Sequence, residues 1–255
     1  KIGKYTGQEA PVAYRNVKKA SEYFFLTEDK KLYRRPVEFS WTLYDEPELI
    51  AENVTDFSSS ALSVMYETED GSLYSARLNY AKDSGTSYND DYDLSAPIKI
   101  SQKVSSFSAN GGYFVVDGQG ILHGWSSPYY KTQYEGTDTV FKTQKPIAIS
   151  MYVTDVADMG TFIAMLKSDN GLYVCPNTLN GDTEGLFGIK KEQKILSDVS
   201  SFSLGFGYVL AVKADGTLWV WGRNNSGSLG ISGVGIAETP VQNAEFYPLH
   251  KRIIQ

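Results

Sequence analysis

The stretch VSSFSLGFGYVLAVKADGTLWVWGRNNSGSLG, Val199 to Gly230, decides the reading of the fold. It parses as a short strand, a Gly-rich bend, two strands joined by a tight turn at Asp215-Gly216, and a Gly/Asn-rich exit loop. Gly and Asp tolerate the positive φ that a two-residue hairpin demands, and the flanking runs YVLAVK and LWVW carry the β-branched and aromatic residues that favour strands. Both faces of these runs are apolar, so the sheet they build is expected to be covered on both sides.

Weaker copies of the unit recur upstream. First strands are expected to start at Val17, Val54, Val104, Val153 and Val199, in steps of 37, 50, 49 and 46 residues. A leucine opens the third strand of each copy at Leu32, Leu73, Leu122, Leu172 and Leu218, 15 residues after the valine in the first copy and 18 or 19 in the others. Near-constant spacing with variable loops is what stacked supersecondary units produce. Ahead of each leucine lie Asp29-Lys30, Asp70-Gly71, Gln119-Gly120, Asp169-Asn170 and Asp215-Gly216, with Lys30 the misfit at a turn position. After it come the flat rings of Tyr33, Tyr74, His123, Tyr173 and Trp219, and two positions on lie Arg35, Ala76, Trp125, Cys175 and Trp221. Prolines 11, 47, 97 and 146 open a further segment ahead of the first four valines, as suits an outer strand. Four-stranded units packed face to face make a β-propeller. One all-β domain over 1–255 is expected, with repeats starting near 11, 47, 97, 146 and 192 and a partial strand and tail over 239–255. Five repeats are visible, and a ring of five to seven blades is compatible with them.

The anchor stretch closely resembles the repeat of the regulator of chromosome condensation family. That repeat carries Gly-x-x-His-Ser, Asp-Gly, Leu-Trp-x-Trp-Gly and Asn-x-x-Gly-x-Leu-Gly. Val199, Gly205, Asp215, Gly216, Leu218, Trp219, Trp221, Gly222, Asn224, Gly227, Leu229 and Gly230 fall on the pattern. The fourth copy keeps Asn177 and Gly185-Leu186-Phe187-Gly188, and the third keeps Gly120, Leu122 and Trp125. The family histidine is replaced by Ser63, Tyr113, Phe162 and Tyr208. The resemblance implies a propeller, typically of seven blades. It spans functions from nucleotide exchange on a nuclear GTPase through ubiquitin-ligase propellers to a secreted bacterial inhibitor of β-lactamases, and fold alone does not choose among them.

Composition narrows the classes. The net charge is −6 and no basic run clusters, which argues against nucleic acid. Apolar runs reach about five residues, far short of the roughly 20 a membrane helix needs. Cys175 is the lone cysteine, so no disulfide framework or cysteine metal site exists; in a strand without electropositive neighbours it reads as buried and inert. His123 occupies the ring column and His250 a polar tail, too few for a zinc site or a Ser-His-Asp triad. The recurring acids Asp29, Asp70, Asp169 and Asp215 sit in turns, where backbone geometry is their task. Asn89, Asp91 and Asp93 alternate as calcium-loop ligands do, but Leu94 stands where an EF-hand needs glycine and no bidentate Glu follows, so a solvated acidic loop is the reading. Ser168-Asp169-Asn170-Gly171 lacks the spacing of a sialidase Asp-box, and Gly205 and Gly207 precede a strand rather than a phosphate-binding helix.

What remains is the exits of the second and third copies, Asn79–Ala96 and Ser126–Lys145. They carry Tyr80, Tyr88, Asp91, Tyr92, Tyr129, Tyr130 and Tyr134 among small polar residues, a composition of recognition surfaces, and equivalent exits are expected on one propeller face. A non-enzymatic binding module for a protein or glycan is the expected function, with no cofactor and no metal. Secreted enzyme inhibitor and carbohydrate-active enzyme are the alternatives. The Lys1 start and the acidic, cysteine-poor composition favour a bacterial secreted or surface protein, while the cytosol remains compatible with the lack of disulfides.

Overall fold

The structure is a computed structural model of the whole chain. It describes residues 14–35, 47–60, 63–80, 92–94, 97–110, 112–125, 129–131, 141–143, 146–160, 162–177 and 191–244. Every regular element among them is a strand, and none is a helix. The strands form five four-stranded antiparallel sheets, one per sequence repeat, divided between two compact units, 1–104 and 105–255.

In the first unit, blade one is β1 (Val17–Ala20), β2 (Phe24–Thr27), β3 (Leu32–Arg34) and β4 (Glu48–Ala51), hydrogen-bonded in that order. Blade two is β5 (Val54–Ser59), β6 (Ser63–Thr68), β7 (Ser72–Tyr80) and β9 (Ile98–Gln102), with β8 (Tyr92–Leu94) paired on the far end of β7. The facing sheets share one apolar layer. Phe24, Leu26 and Leu32 of blade one meet Val54, Phe57, Val64, Tyr66 and Ala76 of blade two.

The second unit holds three blades. Blade three is β10 (Ser106–Ser108), β11 (Tyr113–Val116), β12 (Leu122–Trp125) and β15 (Ile147–Ser150), and its exit carries the ribbon β13 (Tyr129–Lys131) with β14 (Phe141–Thr143). Blade four is β16 (Val153–Asp158), β17 (Phe162–Lys167), β18 (Leu172–Pro176) and β19 (Gln193–Leu196). Blade five is β20 (Val199–Gly205), β21 (Tyr208–Lys213), β22 (Leu218–Arg223) and β23 (Ile236–Gln242). Strand alternation splits β17 cleanly. Ile163 and Met165 pack with Phe114, Val116 and Leu122 of blade three, and Phe162 and Ala164 pack with Val209, Ala211 and Trp221 of blade five. Both faces of the central sheet are thus buried, as its unbroken apolar runs require. Blade five is covered on one face by blade four, while on the other Val220 and Ala237 meet Leu229 of its own exit loop.

One expectation about phase is corrected. The segments that follow Pro47, Pro97 and Pro146 become β4, β9 and β15, which close the sheet of the preceding repeat rather than open the next. Likewise 239–242, expected to be a partial strand apart from the five repeats, lies in β23 and completes blade five. The reason is geometric. The two-residue links between Ala51 and Val54, Ser150 and Val153, and Leu196 and Val199 each end in a left-handed residue, and the N–H of the valine that follows is taken by the preceding turn, so the chain steps across to a new sheet instead of folding back. Pro11 and the tail beyond 244 lie outside the described residues.

That step has a fixed backbone conformation. The residue before each expected first strand is left-handed: Asn16 (φ 57°), Asn53 (60°), Lys103 (55°), Tyr152 (62°) and Asp198 (62°). The residue that closes each hairpin β-turn, its N–H donating to the carbonyl three residues back, is left-handed too, at Lys30 (63°), Gly71 (74°), Gly120 (78°), Asn170 (55°) and Gly216 (81°). The turns are thus longer than the expected two-residue hairpin, and the preceding Asp or Gln is not left-handed. The two columns are wired together. The N–H of Val54 donates to the Lys30 carbonyl at 2.9 Å, Val153 to Gly120 at 2.9 Å, Val199 to Asn170 at 2.8 Å, and Lys103 to Gly71 at 2.8 Å. Each turn thus clamps the chain as it leaves its own blade. The carbonyls of Asn53, Tyr152 and Asp198 in turn accept from Glu69, Ser168 and Ala214.

A left-handed φ costs an ordinary L-residue about 1–2 kcal/mol, less for Asn. Tyr152→Asn is therefore expected to raise stability by about 0.5–1 kcal/mol in urea unfolding. Gly222 (φ 115°) is the reverse case, since a Cβ there would lie 2.3 Å from the Gly207 carbonyl oxygen and 2.6 Å from the Tyr208 Cα. Backbone cannot yield to it, so Gly222→Ala is expected to cost about 3 kcal/mol or more in the same assay.

Candidate functional site

Each blade has two ends, and the recurring polar residues are divided between them. At the turn end sit the carboxylates. Asp70 accepts from the Ser72 N–H at 3.0 Å and the Thr68 hydroxyl at 2.7 Å; Asp215 accepts from the N–H and hydroxyl of Thr217 at 2.9 and 2.6 Å. Asp169 accepts from the Gly171 N–H at 2.9 Å, the Tyr173 hydroxyl at 2.8 Å and the Lys194 ammonium at 2.9 Å. The lysine, then the tyrosine and the backbone N–H, pull the Asp169 carboxyl down to about 2. Asp29 is likewise lowered, first by Thr27 and then by Lys31. In blade three the column residue is Gln119, and the task passes to Asp117, which the spacing did not single out. Its carboxylate accepts from the N–H groups of Gln119 and Ile121 and bonds the His123 ring at 2.8 Å. His123 is a half-buried column ring tied to its own turn.

The other rings of that column act across the ladder. Tyr33 stacks on Phe25 and Tyr74 on Tyr66, each pair directly opposite in register. Tyr173 lies beneath Lys167 and Lys194, and Trp219 beneath Lys213.

At the other end lie the β20–β21 turn and the exits from the third strands, because antiparallel strands alternate direction. The blade-five exit is held by one side chain. Asn224 donates to the carbonyls of Ile231 and Val234 at 2.8 Å each and accepts from the Leu229 N–H at 2.9 Å. Asn243, not singled out in the sequence, donates to Leu229 O at 3.0 Å. The Asn-x-x-Gly-x-Leu-Gly motif is thus a loop-bracing device that seats Leu229 against the sheet.

The two long exits turn out to be partly paired. In blade two, Tyr80 faces Tyr92 at the end of the β7–β8 ladder. In blade three, Tyr129 faces Thr143 and Tyr130 faces Lys142 in the β13–β14 ribbon. Tyr88, Asp91 and Tyr134 lie outside the described residues, as do Asn89 and Asp90 of the calcium reading. The two ribbons belong to different compact units.

Candidates for chemistry find structural work. Cys175 packs in the apolar layer between blades three and four, and burial pushes its thiol up to about 12, so it stays protonated. The carboxylate of Asp158, buried at 2% exposure, accepts from the Ser108 hydroxyl at 2.7 Å and the Asn110 N–H at 3.0 Å, tying β16 to the neighbouring blade. Asp155 does the same with Ser106 at 2.6 Å, and in the first unit Asp56 pairs with Lys19 at 2.6 Å. Among the described residues, no three His, Cys, Asp or Glu side chains are grouped to hold a metal ion. No described helix is long and apolar enough to cross a membrane.

Residues 199–228 match the regulator of chromosome condensation (RCC1) repeat. Among solved structures, human WBSCR16 is similar at 18% identity and a TM-score of 0.58, over 86% of this chain and 64% of its own. Yeast RCC1 (Prp20), solved with Kap60 bound to it, is similar at 17% identity and 0.54, over 77% and 52%. Prp20p of Saccharomyces cerevisiae, described with its binding properties to Gsp1p and histones, is similar at 14% and 0.56, over 86% and 60%. One repeat, 199–228, is thus of the regulator of chromosome condensation type, and the five four-stranded sheets, one for each of five repeats, have the fold of the RCC1-type β-propellers. At these identities the likeness is one of fold. The chain spans between 52% and 64% of the length of these structures.

Two measurements check the assignment of these groups to structure. The Asp169 carboxyl is held down only when folded, so its contribution is full above the ordinary carboxylate range and fades as the pH falls toward 2. Asp169→Asn should be less stable than wild type at neutral pH, with the gap between their urea midpoints closing in acid. Asn224→Ala strands the buried Leu229 N–H and two carbonyls, and is expected to cost about 2 kcal/mol in thermal unfolding.

Proposed function

We propose that the chain is a non-enzymatic binding module that recognises a protein, or a glycan, through the exit ends of its blades. The observation that carries this reading is the division of labour between the two ends. The recurring aspartates are committed to their own turns, whereas the exit end places Tyr80, Tyr92, Tyr129 and Tyr130 on short paired ribbons. Tyrosine on a paired backbone offers large amphipathic area at low entropy cost, the composition of paratopes and interface cores. The solved structures support a protein partner in kind: yeast RCC1 binds Kap60, and Prp20p is described with Gsp1p and histones. The charge of −6 keeps nucleic acid out of the proposal.

A secreted proteinaceous enzyme inhibitor is the finer version that the ribbons favour, since preorganised backbone lowers the entropy lost on docking. A secreted or surface location belongs to the same proposal. A carbohydrate-active propeller would need two carboxylates facing each other across roughly 5–10 Å. The turn-bound aspartates do not serve that role.

The test is capture of partners on immobilised wild-type chain and on a variant with Tyr88, Tyr92, Tyr129 and Tyr130 changed to Ala, read by quantitative mass spectrometry. Specific partners should fall about tenfold or more on the variant. Equal recovery on both proteins sinks the exit-end reading.

A further inference from the structure

Phe206 is the outlier of the described surface. Its side chain is 80% exposed, more than any other described large apolar residue, and it stands on a two-residue turn between β20 and β21. A ring in water is costly, so its setting matters. The glycines on either side are both roofed by neighbours. A Cβ on Gly205 would lie 1.9 Å from Tyr208 Cζ, so the tyrosine ring folds across that position. A Cβ on Gly207 would lie 3.0 Å from Arg223 Cδ, so the arginine stem crosses the other. The Gly207 carbonyl is also fixed, accepting from the Arg223 N–H at 2.8 Å. Phe206 is therefore held up by a braced turn between Tyr208 and Arg223.

The arginine supplies the second observation. Arg223 is exposed, and its guanidinium makes no ion pair among the described residues. In β23, Ile236 faces Arg223 across the ladder at 49% exposure, and Val234 just before it is 42% exposed. An aromatic anchor, a small apolar rim and one unpaired guanidinium thus share the exit end of blade five. Arginine is suited to bidentate carboxylate recognition, and aromatic and arginine anchors dominate protein interfaces.

We propose that this tip is a preformed docking point for an acidic protein segment. Phe206 enters an apolar socket of the partner, and Arg223 pairs with an Asp or Glu beside it. A glycan would stack on Phe206 without needing a carboxylate, so the free guanidinium favours the acidic segment. The inference rests on the binding-module reading and names a different anchor from the ribbon tyrosines.

The probe is a phage-displayed random peptide library panned on the full chain, followed by fluorescence anisotropy of the selected peptides. Peptides carrying Asp or Glu next to a large apolar residue are expected. Phe206→Ser and Arg223→Glu should each weaken them about tenfold or more, Arg223→Lys less so, with thermal unfolding unchanged because both side chains are exposed. Selected peptides without acids, or equal binding to wild type and both variants, overturn the proposal. If peptides respond to Tyr129→Ala and Tyr130→Ala but not to Phe206→Ser, this inference falls and the binding-module reading stands. If wild type selects nothing and captures no partner, both fall. Loss of binding in Phe206→Ser with none in Arg223→Glu assigns the tip to an uncharged ligand such as a glycan. Concentration-dependent self-association of wild type that Phe206→Ser abolishes assigns it to a second copy of the chain. Either result overturns the acidic segment.

Discussion

The structure depends on one backbone hydrogen bond, repeated. The carbonyl of a left-handed turn residue, Lys30, Gly120 or Asn170, accepts the N–H of the valine that opens the next blade. It joins the tightest point of one sheet to the start of another. Such a bond demands two special backbone conformations at once, at the turn and at the residue before the valine. Many residues serve that demand: Gly and Asn take up the strain, and aspartates beside the turns hold them by accepting from backbone N–H groups. Packing then follows, because a clamped chain sets the next sheet face to face with its predecessor. The layers that result are built from second strands such as β17, whose alternate residues feed two different interfaces.

This economy sorts the polar residues. Asp70, Asp117, Asp169 and Asp215 brace turns, Asp56, Asp155 and Asp158 tie first strands of adjacent blades, and Asn224 knits the exit loop. A carboxylate holding backbone N–H groups in place is poorly suited to proton transfer, since its ionised form is what the fold stabilises. The exit end is under no such obligation. There the blades differ from one another, and there the ribbons and the Phe206 tip are found. The proposed function thus draws on the part of the repeat that the fold leaves free to vary.

Much of this was legible in the residues. The columns of valine, turn pair, leucine and ring marked three strands of every blade, because period-2 alternation and turn chemistry are local. The fourth strand was visible but assigned to the wrong neighbour, since its partner is chosen by the backbone conformation of the link that follows it and not by its own composition. The left-handed column at 16, 53, 103, 152 and 198 was not legible. Asn, Lys, Tyr and Asp share no side-chain property that announces it, and the constraint comes from the crossing between sheets. Asp117 escaped for a similar reason: a carboxylate two positions earlier reaches the same N–H groups only once the turn is folded. Phe206 lies in a stretch that reads only as a Gly-rich bend, and its exposure is a tertiary fact.

The sequence by itself determined the repeat, the strands and their apolar faces, because propensity, alternation and positive-φ turn residues act within a few positions along the chain. Only the tertiary structure decided which strand closes which sheet, which carboxylates bridge blades, and which aromatic side chains pack and which stand in water. These depend on residues some 40 to 50 positions apart coming together, as Ser106 and Asp155 do. No local rule ranks such partners before the backbone is in place.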